Sequence, residues 1–304
     1  MSKIKLHILG CGSALPTSKH HLSSQVLDLR GKLFMIDCGE GTQLQFRKTR
    51  LNYNQISDVF ISHLHGDHCF GLIGLISTLS LLGRTAPLRI HAHPDLEALI
   101  RPQMDYFCRE NKFEVQFQPF NPREYALIYE DRNWEVYTLP LIHRVCSTGF
   151  LIKEKPRMPH IIKDKADFYQ IPLAQYPAIK AGADFVTPDG EVIPNRFLVR
   201  DAEAPKSYAD CSDTAYNEKL IPYLQGVQML YHEATFSQEH LSLAEYTQHS
   251  TALQAAQIAK AAAVEKLILG HYSARYPDEK VLLDEARSVF PSSFAAQEGD
   301  VYEW

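Results

Sequence analysis

Alternating and continuous apolar runs along this chain predict strands, and several of them end abruptly in polar clusters. Lys3-Ile4-Lys5-Leu6-His7-Ile8-Leu9 alternates and stops at Gly10-Cys11-Gly12-Ser13, which predicts a strand entering a tight turn. Gln25–Leu29 and Lys32–Asp37 form a hairpin pattern about Arg30-Gly31. Asp37-Cys38-Gly39-Glu40-Gly41-Thr42 is a second glycine turn, followed by a helix through about Arg50. Two glycine turns this close together suggest backbone brought near a shared site. The apolar run Asp58–Ser62 then breaks off into His63-Leu64-His65-Gly66-Asp67-His68, with Gly66 marking a loop and Gly71–Ile76 resuming as a helix that ends near Gly83. Three histidines and an aspartate at the mouth of a buried strand can fix coordination geometry for a divalent metal.

Further strands are predicted over 88–93, 113–117, 125–130, 134–139 and 148–153, with a helix opening at Pro94. His91 and His93 share one strand face and read as partly exposed side chains rather than ligands. From Lys153 to about Ile193 the period is lost, and prolines 156, 159, 172, 177 and 188 punctuate the segment. A structureless insertion of this length in a compact domain is functional or disordered. In its first part Lys153, Lys155, Arg157, Lys163, Lys165 and Lys180 outnumber Glu154, Asp164 and Asp167, and Phe168, Tyr169 and Tyr176 are interleaved. That part is therefore a locally basic, aromatic-bearing arm. Order returns at 196–199 and in a strand over 207–210 leading to Cys211-Ser212-Asp213-Thr214. A helix over 217–224 precedes the strand 227–231, which delivers His232-Glu233-Ala234-Thr235. Ser250 or Thr251 caps an alanine-rich helix from Ala252 to Ala263, the strand 266–269 ends at Gly270-His271, and a last helix covers 278–289.

This order predicts an α/β fold of two helix-covered sheets, one domain over 1–304 with the arm 153–193 inserted. Polar clusters at 63–68, 143, 213, 232–235 and 271 all follow strands, so they are expected to converge. A chain that is 45% hydrophobic and 22% charged has ample material for a soluble core. The first residues enter a strand pattern at once, and no apolar run approaches the ~20 residues of a bilayer span. The expected address is the cytoplasm. Six cysteines without a Cys-x-x-Cys pair give no ribbon-type zinc site. A net charge of −5 weighs against a general nucleic-acid binder, with the basic arm as a local exception.

His63-x-His65-x-Asp67-His68, followed by His143, Asp213 and His271, resembles the ordered ligand set of the metallo-β-lactamase superfamily. The resemblance implies an αββα sandwich with two metals between its sheets. His63, His65 and His143 would hold one metal, Asp67, His68 and His271 the other, and Asp213 would bridge them. Such a donor set suits two Zn²⁺ per subunit, with Mn²⁺ or Fe²⁺ as substitutes. Cys211 is a neighbour of this set, not a member.

Within the superfamily the chain is similar to the tRNase Z (ribonuclease Z) family over nearly its whole length. The marks are Leu9-Gly10-x-Gly12-Ser13, Asp37-Cys38-Gly39-Glu40-Gly41-Thr42, His143-x-x-x-Ser147-x-Gly149-Phe150, Ser212-Asp213-Thr214, His232-Glu233-Ala234-Thr235-Phe236 and His249-Ser250-Thr251-Ala252. That resemblance implies a homodimeric endoribonuclease that removes 3′ trailers from precursor tRNA, leaving a 3′-hydroxyl on the tRNA and a 5′-phosphate on the trailer. Asp67 would bind metal and orient, or accept the proton from, the attacking water. His249, oriented by Glu233, would protonate the departing oxygen. The arm would grip the tRNA body. It lacks the family's Gly-Pro motif, and the family's Pro-x-Lys-x-Arg-Asn loop is here Pro16-Thr17-Ser18-Lys19-His20-His21. The competing reading is a small-molecule phosphodiesterase acting on cyclic phosphates.

Overall fold

The computed structural model describes residues 3–304. Its contacts divide the chain into two compact units, one of Met1–Tyr129, Val136–Ile152 and Ser207–Trp304, the other of Glu130–Glu135 and Lys153–Lys206.

The first unit is built on two seven-stranded sheets. We number their strands β1 (Lys5–Gly10), β2 (Ser24–Asp28), β3 (Leu33–Ile36), β4 (Ile56–Phe60), β5 (Leu88–Ala92), β6 (Val115–Pro119), β7 (Leu127–Glu130), β8 (Trp134–Pro140) and β9 (Thr148–Glu154). The remainder are β10 (Ser207–Cys211), β11 (Met229–Glu233), β12 (Lys266–Gly270), β13 (Ser293–Ala295) and β14 (Val301–Glu303). One sheet runs β14-β1-β2-β3-β4-β5-β6 and the other β13-β12-β11-β10-β9-β8-β7. From β3 to β6 the first sheet is parallel, and so is the second from β10 to β13.

Parallel strands are covered on both faces, so their sequences are apolar on both. In β3 and β4, Leu33, Met35 and Val59 enter a core with Leu72, Leu75, Ile76 and Leu79 of the helix Leu72–Leu81 and with Leu96, Ile100 and Met104 of Asp95–Phe107. Phe34 and Phe60 point the other way. Their ring centroids are 5.3 Å apart, and Phe60 meets Phe150 of the facing sheet at 5.5 Å. Between the sheets Gln25 Nε2 also donates to Asp210 Oδ1 at 3.0 Å. The helices Ala252–Ala261 and Lys280–Val289 cover the second sheet and bury Ala255, Ala256, Ile258, Leu282 and Ala286. Helix, sheet, sheet and helix therefore stack in the expected order.

Several local details differ from the sequence expectation. Gly66 does not mark a loop but opens a short helix, Gly66–Cys69, in which a Cβ would lie 2.3 Å from the Phe70 ring. His91 is buried rather than exposed, and its Nε2 lies 2.9 Å from the Asp58 carboxylate. β13 and β14 are additional strands of three residues, too short to show a period; Lys3 and Lys5 each reach Glu303 of β14 at 2.9 Å. The helix Leu241–Thr247 was likewise not expected.

The second unit is not structureless. Ala166, Ile171, Ile179, Phe185, Ile193 and Leu198 form a core of its own. Around it lie the helices Lys163–Phe168 and Tyr176–Lys180, and two antiparallel pairs, His160–Ile161 with Val199–Arg200 and Phe185–Val186 with Val192–Ile193. The prolines that break the sequence period start elements here: Pro177 stands in the first turn of its helix, where its missing N–H costs nothing. The unit runs on to Lys206, past the expected end at 193. Among the described residues no helix is long and apolar enough to cross a membrane.

Candidate metal centre

The strand-end clusters converge. His63, His65, Asp67 and His68 follow β4, His143 lies between β8 and β9, Asp213 follows β10 and His271 follows β12. Two groups of ligand atoms form, His63/His65/His143/Asp213 and Asp67/His68/His271, each within 4.8 Å of one another. Asp213 joins them. Its Oδ2 lies 3.5 Å from His63 Nε2 and 3.6 Å from His143 Nε2, and its Oδ1 lies 3.3 Å from His68 Nε2 and 3.1 Å from His271 Nε2. Asp67 Oδ2 closes the second group at 3.4 Å from His68 and 3.6 Å from His271.

In four of the five histidines the opposite ring nitrogen is engaged. Nδ1 of His63 meets Ser62 Oγ at 3.0 Å, His68 meets Asp37 Oδ2 at 2.6 Å, His143 meets the Gln248 carbonyl at 2.9 Å and His271 meets Thr235 Oγ1 at 2.9 Å. Holding Nδ1 fixes the ring and presents Nε2, the arrangement found around ligating histidines. Nε2 of His68, His143 and His271 is buried with no hydrogen-bond partner, which is costly for a polar atom unless a cation takes that place. Burial draws His63, His65 and His143 below the usual imidazole range, so they are neutral donors. Burial alone would raise Asp213, but His271, His68 and His63 around it hold its carboxyl well below the usual range. A donor set of imidazoles and carboxylates of this kind fits divalent metal ions.

Beside the ligand groups lies a second charged pair. Glu233, the last residue of β11, is fully buried and accepts from Thr214 N at 2.7 Å, Thr235 Oγ1 at 2.6 Å and Ser250 N at 3.1 Å. Its Oε1 meets His249 Nδ1 at 2.8 Å. Burial pulls the His249 imidazole down, but the Glu233 carboxylate outweighs it and holds the pKa up at about 9. The His249 ring sits 4.8 Å from His143 and 5.4 Å from His271. Gln248, in the left-handed region at φ 57°, turns the chain between the helix Leu241–Thr247 and His249. Thr251 and Gln254 then form a capping box that starts the next helix.

The glycine turns do approach this site. Ala14 N, after the first, donates to Asp67 Oδ2 at 2.7 Å, and a Cβ on Gly39, in the second, would lie 2.5 Å from the Asp67 carbonyl oxygen. Asp37 was not anticipated as a supporting residue. It holds both the His68 ring and Ser62, whose N and Oγ each donate to it at 2.8 Å. Its signal was an acidic residue opening a glycine turn, and its φ of 56° is the conformational mark of that turn. In the 16–21 loop, Lys19 pairs with Glu279 and His20 lies between Glu279 at 2.7 Å and Glu298 at 3.1 Å. Of the basic arm positions, all in the second unit, Lys155 pairs with Glu130 and Arg157 with Glu154, while Lys163 and Lys165 are exposed.

A family model described as anti-Pycsar protein Apyc1 matches residues 4–155. The ribonuclease Z of Bacteroides fragilis is 53% identical over 298 residues, covering 98% of both chains. Among solved structures, human tRNase Z in its short form superposes with a TM-score of 0.70 at 23% identity, covering 98% of both chains. The metallo-β-lactamase fold protein YhfI from Bacillus subtilis superposes with a TM-score of 0.68 at 19% identity over the full length of both. The two structural likenesses speak for the sandwich, and the sequence likeness speaks for the family. With a relative more than half identical along nearly its whole length, the chain belongs to the ribonuclease Z family of metallo-β-lactamase-fold proteins.

Proposed function

We propose that the chain is a metal-dependent hydrolase that cuts precursor tRNA at its 3′ side, leaving a 3′-hydroxyl on the tRNA and a 5′-phosphate on the trailer. The observation that carries this reading is the Glu233–His249 pair set against the two ligand groups. Ligand groups alone serve many hydrolyses; a buried carboxylate holding an imidazole protonated adds an acid for a poor alkoxide leaving group.

In this reading His63, His65 and His143 would hold one Zn²⁺ and Asp67, His68 and His271 another, with Asp213 serving both groups, and Mn²⁺ or Fe²⁺ would suit the same donors. Such ions, when bound, neutralise phosphate charge and acidify water. The chain does the rest. Asp67, fixed by the Ala14 N–H, orients the attacking water and accepts its proton. His249 donates from Nε2 to the departing 3′ oxygen of the tRNA, and Glu233 stabilises its charged form. Lys153, Lys155, Arg157, Lys163, Lys165 and Lys180 of the second unit grip the tRNA body through its phosphates. The active species is a cytoplasmic homodimer. A small-molecule cyclic phosphodiesterase would not need such an arm.

The test is a 3′-extended precursor tRNA cut by wild type, His65→Ala and His249→Ala. His65→Ala abolishes cleavage, and His249→Ala slows it by roughly 10²–10⁴, the usual worth of a general acid. Wild type that hydrolyses a cyclic phosphodiester but leaves the precursor intact would establish the competing reading.

A further inference from the structure

A groove leads away from the ligand groups on the side of His143. A cavity of about 380 Å³ is lined by His143, Gln248, Arg144, Cys146, Pro122 and Arg123 among others. A second of about 530 Å³ shares Pro122, Arg123 and Cys146 with it and continues to Phe120 and His93. Neither cavity has an aspartate or glutamate in its lining. A further cavity of about 490 Å³, beside Lys48 and Arg50, has both Glu298 and Asp300 in its lining.

Two exposed guanidiniums stand along this groove, and among the described residues neither is ion-paired. Arg123 Nη2 lies 3.6 Å from Cys146 Sγ. Arg144 lies over the Tyr246 ring at 5.1 Å and donates through Nη2 to the Tyr246 carbonyl at 3.0 Å. The adjacent His143 bonds the Gln248 carbonyl, so the loop 141–147 and the segment 246–249 are tied at two points. Tyr246 remains 76% exposed, an unusual position for a large aromatic side chain.

A cationic groove without carboxylates, starting at the reacting centre and flanked by an arginine-capped aromatic ring, has the chemistry of a single-strand track. Guanidiniums follow phosphates, and an aromatic face stacks on bases without regard to sequence. We infer that Arg123 and Arg144 hold the phosphates of the single-stranded RNA flanking the scissile bond, and that Tyr246 stacks on one of its bases. The inference rests on the tRNA-processing reading above, and adds residues outside the ligand groups, the Glu233–His249 pair and the arm.

The test compares wild type with Arg123→Ala/Arg144→Ala on a precursor tRNA carrying a ten-nucleotide trailer, over a range of salt concentrations. Each phosphate contact on a single strand contributes about 0.7 to the slope of log affinity against log salt, so the double variant flattens the slope of kcat/KM by about 1.4. The loss on precursor RNA exceeds the loss on a small aryl phosphodiester by at least about tenfold. Arg123→Lys/Arg144→Lys, which keeps both charges, recovers the slope, as a merely structural role would not require. An unchanged slope in a folded double variant overturns the groove assignment and leaves the processing function standing. A wild type that cuts no precursor at all overturns the function itself, and the groove assignment with it.

Discussion

Replacing Glu233 with glutamine keeps the shape of the side chain and removes its charge. In the native protein that charge is why His249 stays protonated to about pH 9 despite its burial. Without it the imidazole returns toward its ordinary pKa of about 6.5 or lower. At pH 8 a group of pKa 9 is about nine-tenths protonated and one of pKa 6.5 only about one-thirtieth, so protonation alone costs roughly 30-fold in rate. At pH 6 the same comparison gives almost nothing. The amide nitrogen of the glutamine would also face either Thr214 N, on the Oε1 side, or Thr235 Oγ1 and Ser250 N, on the Oε2 side, all donors toward the present carboxylate, which adds a pH-independent loss. Cations bound at the ligand groups lower the value in both proteins, so the prediction concerns the difference between them. The assay is single-turnover cleavage of a precursor tRNA from pH 5.5 to 9.5. The alkaline limb should move to lower pH in Glu233→Gln; superimposable limbs would refute the assignment of His249 as the acid held by Glu233.

Asp37→Ala frees Nδ1 of His68 and both donors of Ser62, and metal retention after dialysis should fall by about 10- to 100-fold, read by elemental analysis. Asp58 is buried, and although burial would raise its carboxyl, Arg89 at 2.6 Å and His91 at 2.9 Å hold it below its ordinary value. A carboxyl with a depressed pKa in the folded state gives stability that is complete above about pH 4 and lost as pH falls. Asp58→Ala should therefore cost about 3–5 kcal/mol at pH 7 by denaturant titration, with the gap to wild type narrowing below pH 4. Thr251→Ala removes the capping box and should cost about 1 kcal/mol, measured as a lowered Tm.

The strands and their polar ends were legible because a strand buried on both faces leaves an apolar run, and its end leaves a break. His63, His143, Asp213 and His271 could each be read at such a break. What holds them could not. The Nδ1 partners of His143 and His271 are a carbonyl of Gln248 and a hydroxyl of Thr235, and a carbonyl has no sequence signature. The arm read as structureless because elements of two to six residues cannot display a period, although its buried positions, Ile171, Ile179 and Ile193 among them, form a core. β14 is recognisable only through its pairing with β1, a contact between opposite ends of the chain.

Asp213 divides its two oxygens between groups of residues drawn from loops of both sheets. Ions held there would act as a clasp across the sandwich, closing loops that are distant along the chain. Their binding energy would then count toward folding, since the unfolded chain offers no such cage. The resistance of the whole first unit to heat or denaturant should track free metal concentration, rising logarithmically once the sites are loaded. The supply of metal would thus regulate the lifetime of this protein as well as its turnover.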